Sequence, residues 1–144
     1  MLKDALTQFS ELQNLAQVVG TYLSNVIDMS PPGVDALGNT VRHDAGQSHL
    51  IVDARVVQAF ASAGAGTMQV ALVNDTNPNL VTAPVIVDET QVIALATLVA
   101  GYRFRLAWMP PPVTLRWLGL KYIIGGATMT AGTITAYGQG TVVA

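Results

Sequence analysis

The feature that most constrains this chain is an apolar period of two that sets in at Ser48. In SHLIVDARVVQAF the residues Leu50, Val52, Ala54, Val56 and Phe60 alternate with His49, Asp53 and Arg55. Successive side chains of a strand point to opposite faces, so this spacing gives one face to a core and the other to water. MQVALVND repeats the pattern with Met68, Val70 and Leu72 inward. YRFRLAW is the clearest case, with Tyr102, Phe104, Leu106 and Trp108 on one face and Arg103 and Arg105 on the other.

Turn residues punctuate these runs. FASAGAGT, residues 60–67, reads as a small-residue turn that joins the first two strands into a hairpin. NDTNPN ends the second strand and VTAPVIV begins the next, where Pro84 marks an edge or a bulge because proline cannot donate to a ladder. The adjacent Asp88 and Glu89 read as a turn. QVIALATLV is open between a strand and a short helix, since a continuous apolar run hides its period. TLRWLGLKYIIG and GTITAYG add two strands around the turn GGATMTAG. Roughly seven or eight strands at such spacing indicate an all-β sandwich or barrel. Each strand must bury its apolar face against a second sheet about 10 Å away, and a jelly-roll β-sandwich of about eight antiparallel strands fits the count. The alternative is an immunoglobulin-like sandwich, which would here lack the paired cysteines around its buried tryptophan.

Two segments depart from the period. Leu2, Leu6, Phe9, Leu12, Leu15 and Val19 fall three or four apart, as on one face of a helix. The intervening Gln, Ser, Thr and Asn suit an extended arm equally well. The expected organisation is therefore an N-terminal arm or helix over residues 1–28 leading into the first strand, then a jelly-roll domain over 29–144. SPPGVDALGNTVRHDAGQS, residues 30–48, has two prolines, three glycines and no apolar period, which makes it a long loop and a candidate contact surface.

Composition narrows the function. A length of 144 residues suits one domain. Charged residues are 11% of the chain and apolar ones 51%, whereas roughly 25% charged is ordinary for a soluble domain. A small monomer normally covers its large surface with charge, so this deficit points to burial in an assembly. The formal net charge of −2 gives no field to hold nucleic acid. Absence of cysteine removes disulfides, thiolate catalysis and Cys-ligated metals. No apolar run of about 18 residues occurs, and Asp4 and Glu11 stand where a signal peptide would be basic and then apolar, so synthesis in the cytoplasm without a membrane span is expected.

Candidate chemistry is sparse. His43 and His49 are the only histidines, six apart, with Asp44 and Asp53 as the nearby acids, too few for a three-histidine metal site. Asp88 and Glu89, as strand neighbours, would face opposite ways and could not share a glycoside. No GxSxG elbow occurs, and the glycines of AGAGT and IGGAT are followed by no Lys-Ser or Lys-Thr, so they read as turns. No enzyme activity, cofactor or metal is expected. Arg42, Arg55, Arg103, Arg105 and Arg116 outnumber two lysines, a bias suited either to a protein interface or to a solvated sheet face paired with acids such as Asp53. Trp117 and Tyr122 fit a core or an interface, and Trp108 fits a core.

Several motifs occur in order along nearly the whole chain: FSELQ, SNVIDM, RHDAGQSHLIV, FASAGAGTMQVAL, YRFRLAW and LKYIIGGATMTAGTITAY. In this order and spacing the sequence resembles the jelly-roll capsid cement, or decoration, proteins of tailed bacteriophages. The resemblance implies a structural subunit on the outer surface of the virion capsid that clamps neighbouring copies of the major capsid protein. It implies a small symmetric oligomer, a homodimer or homotrimer, with an N-terminal segment that adds contacts. By that analogy Leu6, Phe9 and Leu12, with Pro31, Pro32, Arg42 and His43 of the loop, are the contact candidates. Attachment would rest on avidity, since each later contact of a bound oligomer is intramolecular. The alternative function is a carbohydrate- or receptor-binding jelly-roll module of a phage particle.

Overall fold

A strand with one apolar face needs a second sheet to cover it, and this chain supplies that sheet by folding its two halves onto each other. The computed structural model describes residues 8–28, 33–34, 36–37, 40–41, 50–108 and 115–140. The strands are β1 (Gln8–Asn14), β2 (Gly20–Leu23), β3 (Ile27–Asp28), β4 (Gly33–Val34), β5 (Thr40–Val41), β6 (Leu50–Ser62), β7 (Thr67–Asp75), β8 (Val85–Glu89), β9 (Ile93–Ala94), β10 (Arg103–Trp108), β11 (Trp117–Gly125) and β12 (Met129–Gly140).

Eight of them pair in a nested fashion, all antiparallel: β1 with β12, β2 with β11, β6 with β10 and β7 with β8. Rolling up this long double strand adds the pairs β6–β12 and β7–β11. The result is a first sheet in the order β1-β12-β6-β10 and a second in the order β2-β11-β7-β8, with β3 and β9 attached to the second. This is a jelly-roll β-sandwich, as the alternation led one to expect. Its inner faces are the expected ones: Val52, Ala54 and Val56 meet Met68, Val70 and Leu72, with Phe104 and Leu106 completing the layer.

The hairpin expected between the first two long strands does not form. β6 lies in the first sheet and β7 in the second, so the 63–66 turn crosses between sheets. Its small residues have a packing reason, because it abuts the second crossover at 126–128. A Cβ on Gly64 would come within 2.9 Å of Ala127 Cβ, and one on Gly66 within 2.9 Å of Met129 Sδ. Gly126, at φ 74°, leaves room only for a hydrogen against the Ala65 carbonyl. The turn expected over GGATMTAG is correspondingly short, since β12 already begins at Met129.

The N-terminal segment is neither helix nor free arm where it is described. Gln8–Asn14 is an edge strand of the first sheet, while Gly20–Leu23 and Ile27–Asp28 belong to the second. The apparent helical spacing comes from irregular pairing of β1 with β12, which shifts register between Gln8 and Ser10 and again between Ser10 and Gln13. Phe9 and Leu15 are thereby fully buried while Leu12 is turned out. Within the expected 30–48 loop, β4 and β5 form a short two-stranded ribbon. QVIALATLV divides into β9 and a 3-10 turn at Leu95–Thr97. Pro84 directly precedes β8, an edge strand whose pairing with β7 contains a register shift, in keeping with the edge or bulge expected there. Asp88 and Glu89 are in that strand rather than in a turn.

Polar bonds close both open sides of the sandwich. On one side, Ser10 Oγ of β1 accepts from the Tyr122 hydroxyl of β11 at 2.8 Å and donates to Gln13 Oε1 at 2.6 Å, and Gln13 Nε2 donates to the Leu23 carbonyl at 2.9 Å. Burial, opposed by the Ser10 bond, pushes the Tyr122 phenol well above its ordinary pKa, so it stays a neutral donor. On the other side, Asp88 Oδ2 of β8 accepts the Ala107 amide of β10 at 2.9 Å.

The outer face of the second sheet is covered by its own 76–83 loop. Leu80, at φ 54°, inserts over Gly119, where a Cβ would lie 2.8 Å from Leu80 Cδ1, and joins Ala71, Val73, Val26 and Trp117 in a satellite core. Buried Asp75 anchors the loop by accepting the amides of Asn77 at 3.2 Å, Thr82 at 3.0 Å and Ala83 at 3.2 Å. Burial would raise its pKa, but the backbone donors of Ala83, Asn77, Thr76 and Thr82 together outweigh it and hold the carboxyl below its usual range.

Two outcomes follow. Deleting residues 1–20 removes β1 with Phe9 and Leu15, so cooperative unfolding should be lost in calorimetry, and Phe9→Ala alone should cost about 3–5 kcal/mol. A carboxyl whose folded pKa lies below its unfolded value stabilises fully above the unfolded value, and that contribution fades as pH falls through the folded one. Hydrogen exchange corrected for intrinsic rates should therefore show the Thr82 and Ala83 amides losing protection in acid, and Asp75→Asn should abolish that pH dependence.

Candidate functional site

Among the described residues, no loop covers the first sheet in the same way. Its outward side chains come from positions that alternate with the core: Ile134 and Ala136 of β12 point in, so Thr135 and Tyr137 point out, and Asp53 and Arg55 of β6 lie directly opposite them. β10 adds Arg103 opposite Arg55 and Arg105 opposite Asp53. Of these, Asp53, Arg55, Arg103, Thr135 and Tyr137, together with Leu12 of β1 and Val57 of β6, wall a groove of about 540 Å³.

Two features of the groove run against local preference. Arg55 and Arg103 face each other across the β6–β10 ladder, and like charges directly opposite are destabilising. Asp53 offsets them only in part, reaching Arg103 Nη1 at 3.7 Å, while its Oδ1 is buried with no hydrogen-bond partner. Leu12 has φ 46° and is 60% exposed, its amide bonded to Thr135 Oγ1 at 3.1 Å. The left-handed region costs a residue with a Cβ roughly 1–2 kcal/mol.

Among the expected contact residues, Leu12 is brought into this groove. Phe9 is instead core of its own domain, fully buried under the first sheet, because the shifted register of β1 turns it inward. Leu6, Pro31, Pro32, Arg42 and His43 lie outside the described residues, as does His49. Arg116 serves inside the domain: its guanidinium makes a bidentate pair with Asp28 at 2.9 and 3.0 Å and lies 5.0 Å from the Trp117 ring centre. The Asp28 bond raises the Arg116 pKa further, against a smaller effect of burial. Tyr122 and Trp117 pack in the main and satellite cores. Among the described residues, no three His, Cys, Asp or Glu side chains converge as metal ligands would, and no helix is long and apolar enough to cross a membrane. The groove was only half legible in the sequence: Leu12 and Arg103 stood out singly, but the register that opposes Arg103 to Arg55 joins strands far apart in the chain.

Fold and groove define a small jelly-roll sandwich with one sheet face covered by its own loop and the other grooved and arginine-bearing. The chain belongs to the Bbp16 family, whose model matches residues 9–137 and so spans the sandwich from the first core residue of β1 to Tyr137 of β12. No curated protein matches it.

If Leu12 is strained, Leu12→Gly should raise stability, by up to about 1 kcal/mol in urea unfolding, since glycine adopts positive φ without a Cβ clash. A loss of stability would mean that contacts of the Leu12 side chain outweigh its backbone strain.

Proposed function

We propose that this protein is a structural capsid cement protein that binds the outer surface of a phage head and clamps neighbouring major capsid proteins, with no chemistry of its own. The observation that carries the reading is the outward face of the first sheet, where exposed Leu12 and Val57 adjoin an arginine pair that Asp53 relieves only in part. Exposed apolar side chains beside arginine are what protein interfaces use, and core positions of interfaces are depleted in other charges. The 11% charge content of the whole chain fits the same use. In this reading the protein acts as a homodimer or homotrimer, each copy burying on the order of 1,200–2,000 Å² in total against its neighbours. Several modest contacts then add to firm attachment, because the second and third are intramolecular. A carbohydrate-binding reading would need an exposed ring to stack on a sugar, and the aromatic residue of the groove, Tyr137, is only 7% exposed.

Light scattering should return an oligomer mass for the purified protein. Added to heads that lack it, the protein should bind in fixed stoichiometry and raise their resistance to heat and osmotic shock. Unchanged occupancy and unchanged head stability would sink the reading.

A further inference from the structure

The groove also carries a statement about what chemistry fills it. Arg55 and Arg105 are exposed, and among the described residues no ion pair or hydrogen bond engages their side chains. Among the described carboxylates, Asp28 holds Arg116, Asp75 holds the 76–83 loop, and Asp88 holds the Ala107 amide. Glu11, at the groove margin, accepts the Gln8 side-chain amide at 2.9 Å. Asp53 meets Arg103 at a loose 3.7 Å, which leaves most of the five donors of that guanidinium unspent. Within the groove Arg55 and Arg103 stand against Asp53 and Glu11, but Asp53 reaches only Arg103 and Glu11 is engaged by Gln8, so Arg55 has no counter-charge among the described residues.

We propose that the groove is a docking site for an acidic segment of a partner polypeptide. One carboxylate sits between Arg55 and Arg103, where it relieves the like-charge pair and can accept two hydrogen bonds from a guanidinium fork. An apolar side chain beside it packs between Leu12 and Val57. A carboxylate on a peptide fits better than a nucleic-acid phosphate for two reasons. Leu12, Val57 and Ala100 of the groove wall suit an apolar side chain, and the aromatic ring of the groove, Tyr137, is too buried to stack on a base. On the cement reading, which this inference deepens, the segment belongs to the capsid subunit.

The test uses the full chain and two readouts. The first is binding of a short peptide of alternating Glu and Leu, compared with its Gln–Leu counterpart and a short single-stranded oligonucleotide, followed by NMR shifts at Arg55, Val57 and Arg103. The Glu peptide should bind at the groove, weaken as salt rises, and lose about tenfold or more in affinity, roughly 1.4 kcal/mol, in Arg55→Gln but not in Arg55→Lys. Equal binding of the Gln peptide, tighter binding of the oligonucleotide, or no binding at all would overturn the proposal. The second readout is decoration of heads by Arg55→Glu/Arg103→Glu, whose fold is checked by its melting curve. If that variant decorates as fully as the wild type, the docking site is wrong while the cement reading stands. If the peptide site behaves as expected but wild-type protein does not decorate heads, the cement reading fails and the acidic-segment site remains.

Discussion

The pairing of the first strand with the last is the constraint on which the rest of the sandwich depends. β1 is held in its sheet by β12 and β2 in its sheet by β11, so both N-terminal strands depend on the two C-terminal strands for their ladder bonds. The Ser10–Tyr122 hydrogen bond joins residues 112 apart and links the two sheets at their open side. Closing so long a segment costs little more than closing a short one, because the entropy grows only with the logarithm of length. It does make the topology rich in non-local contacts, with the slow folding that such contacts bring.

The two sheets solve the problem of their outer faces differently. The second sheet folds the 76–83 loop back over Ala71, Val73 and Gly119, with Asp75 as the tie and Leu80 as the plug. β7 is buried on both faces as a result, which is why MQVALVND has apolar residues at its outward positions too. Among the described residues the first sheet has no equivalent loop, and its outward positions include Asp53, Arg55, Arg103 and Arg105. Open edges are also accounted for, since Asp88 ties β8 to Ala107 of β10 and Gln13 ties β1 to the Leu23 carbonyl.

The fold was legible wherever a strand had one wet face. β6 and β10 announced themselves through Asp53, Arg55, Arg103 and Arg105, and their inward residues were read correctly from spacing alone. Legibility failed where tertiary structure set the local conformation. The 60–67 turn has the composition of a hairpin, yet nothing local distinguishes a turn that returns along the same sheet from one that crosses to the other. β1 carried the spacing of a helix because a left-handed Leu12 interrupts its alternation, and positive φ at leucine is contrary to propensity. Asp75, an acid in an Asn- and Pro-rich stretch, gave no sign that it would be a buried anchor. The groove was half legible, since Leu12 and the arginines stood out singly while their meeting depended on register.

The places where a sequence breaks local rules are informative when they coincide in space. A leucine in the left-handed region, an arginine opposite an arginine, and a buried carboxylate oxygen without a partner are each unfavourable for folding alone. Scattered, they would be three small blemishes of the kind any domain carries. Here Leu12, Arg55, Arg103 and Asp53 wall one groove on the outward face of the first sheet. A sequence otherwise consistent from alternation to core packing gathers its exceptions there, and each asks for something different: the arginine pair for negative charge, the Asp53 oxygen for a donor, and the exposed Leu12 side chain for apolar cover.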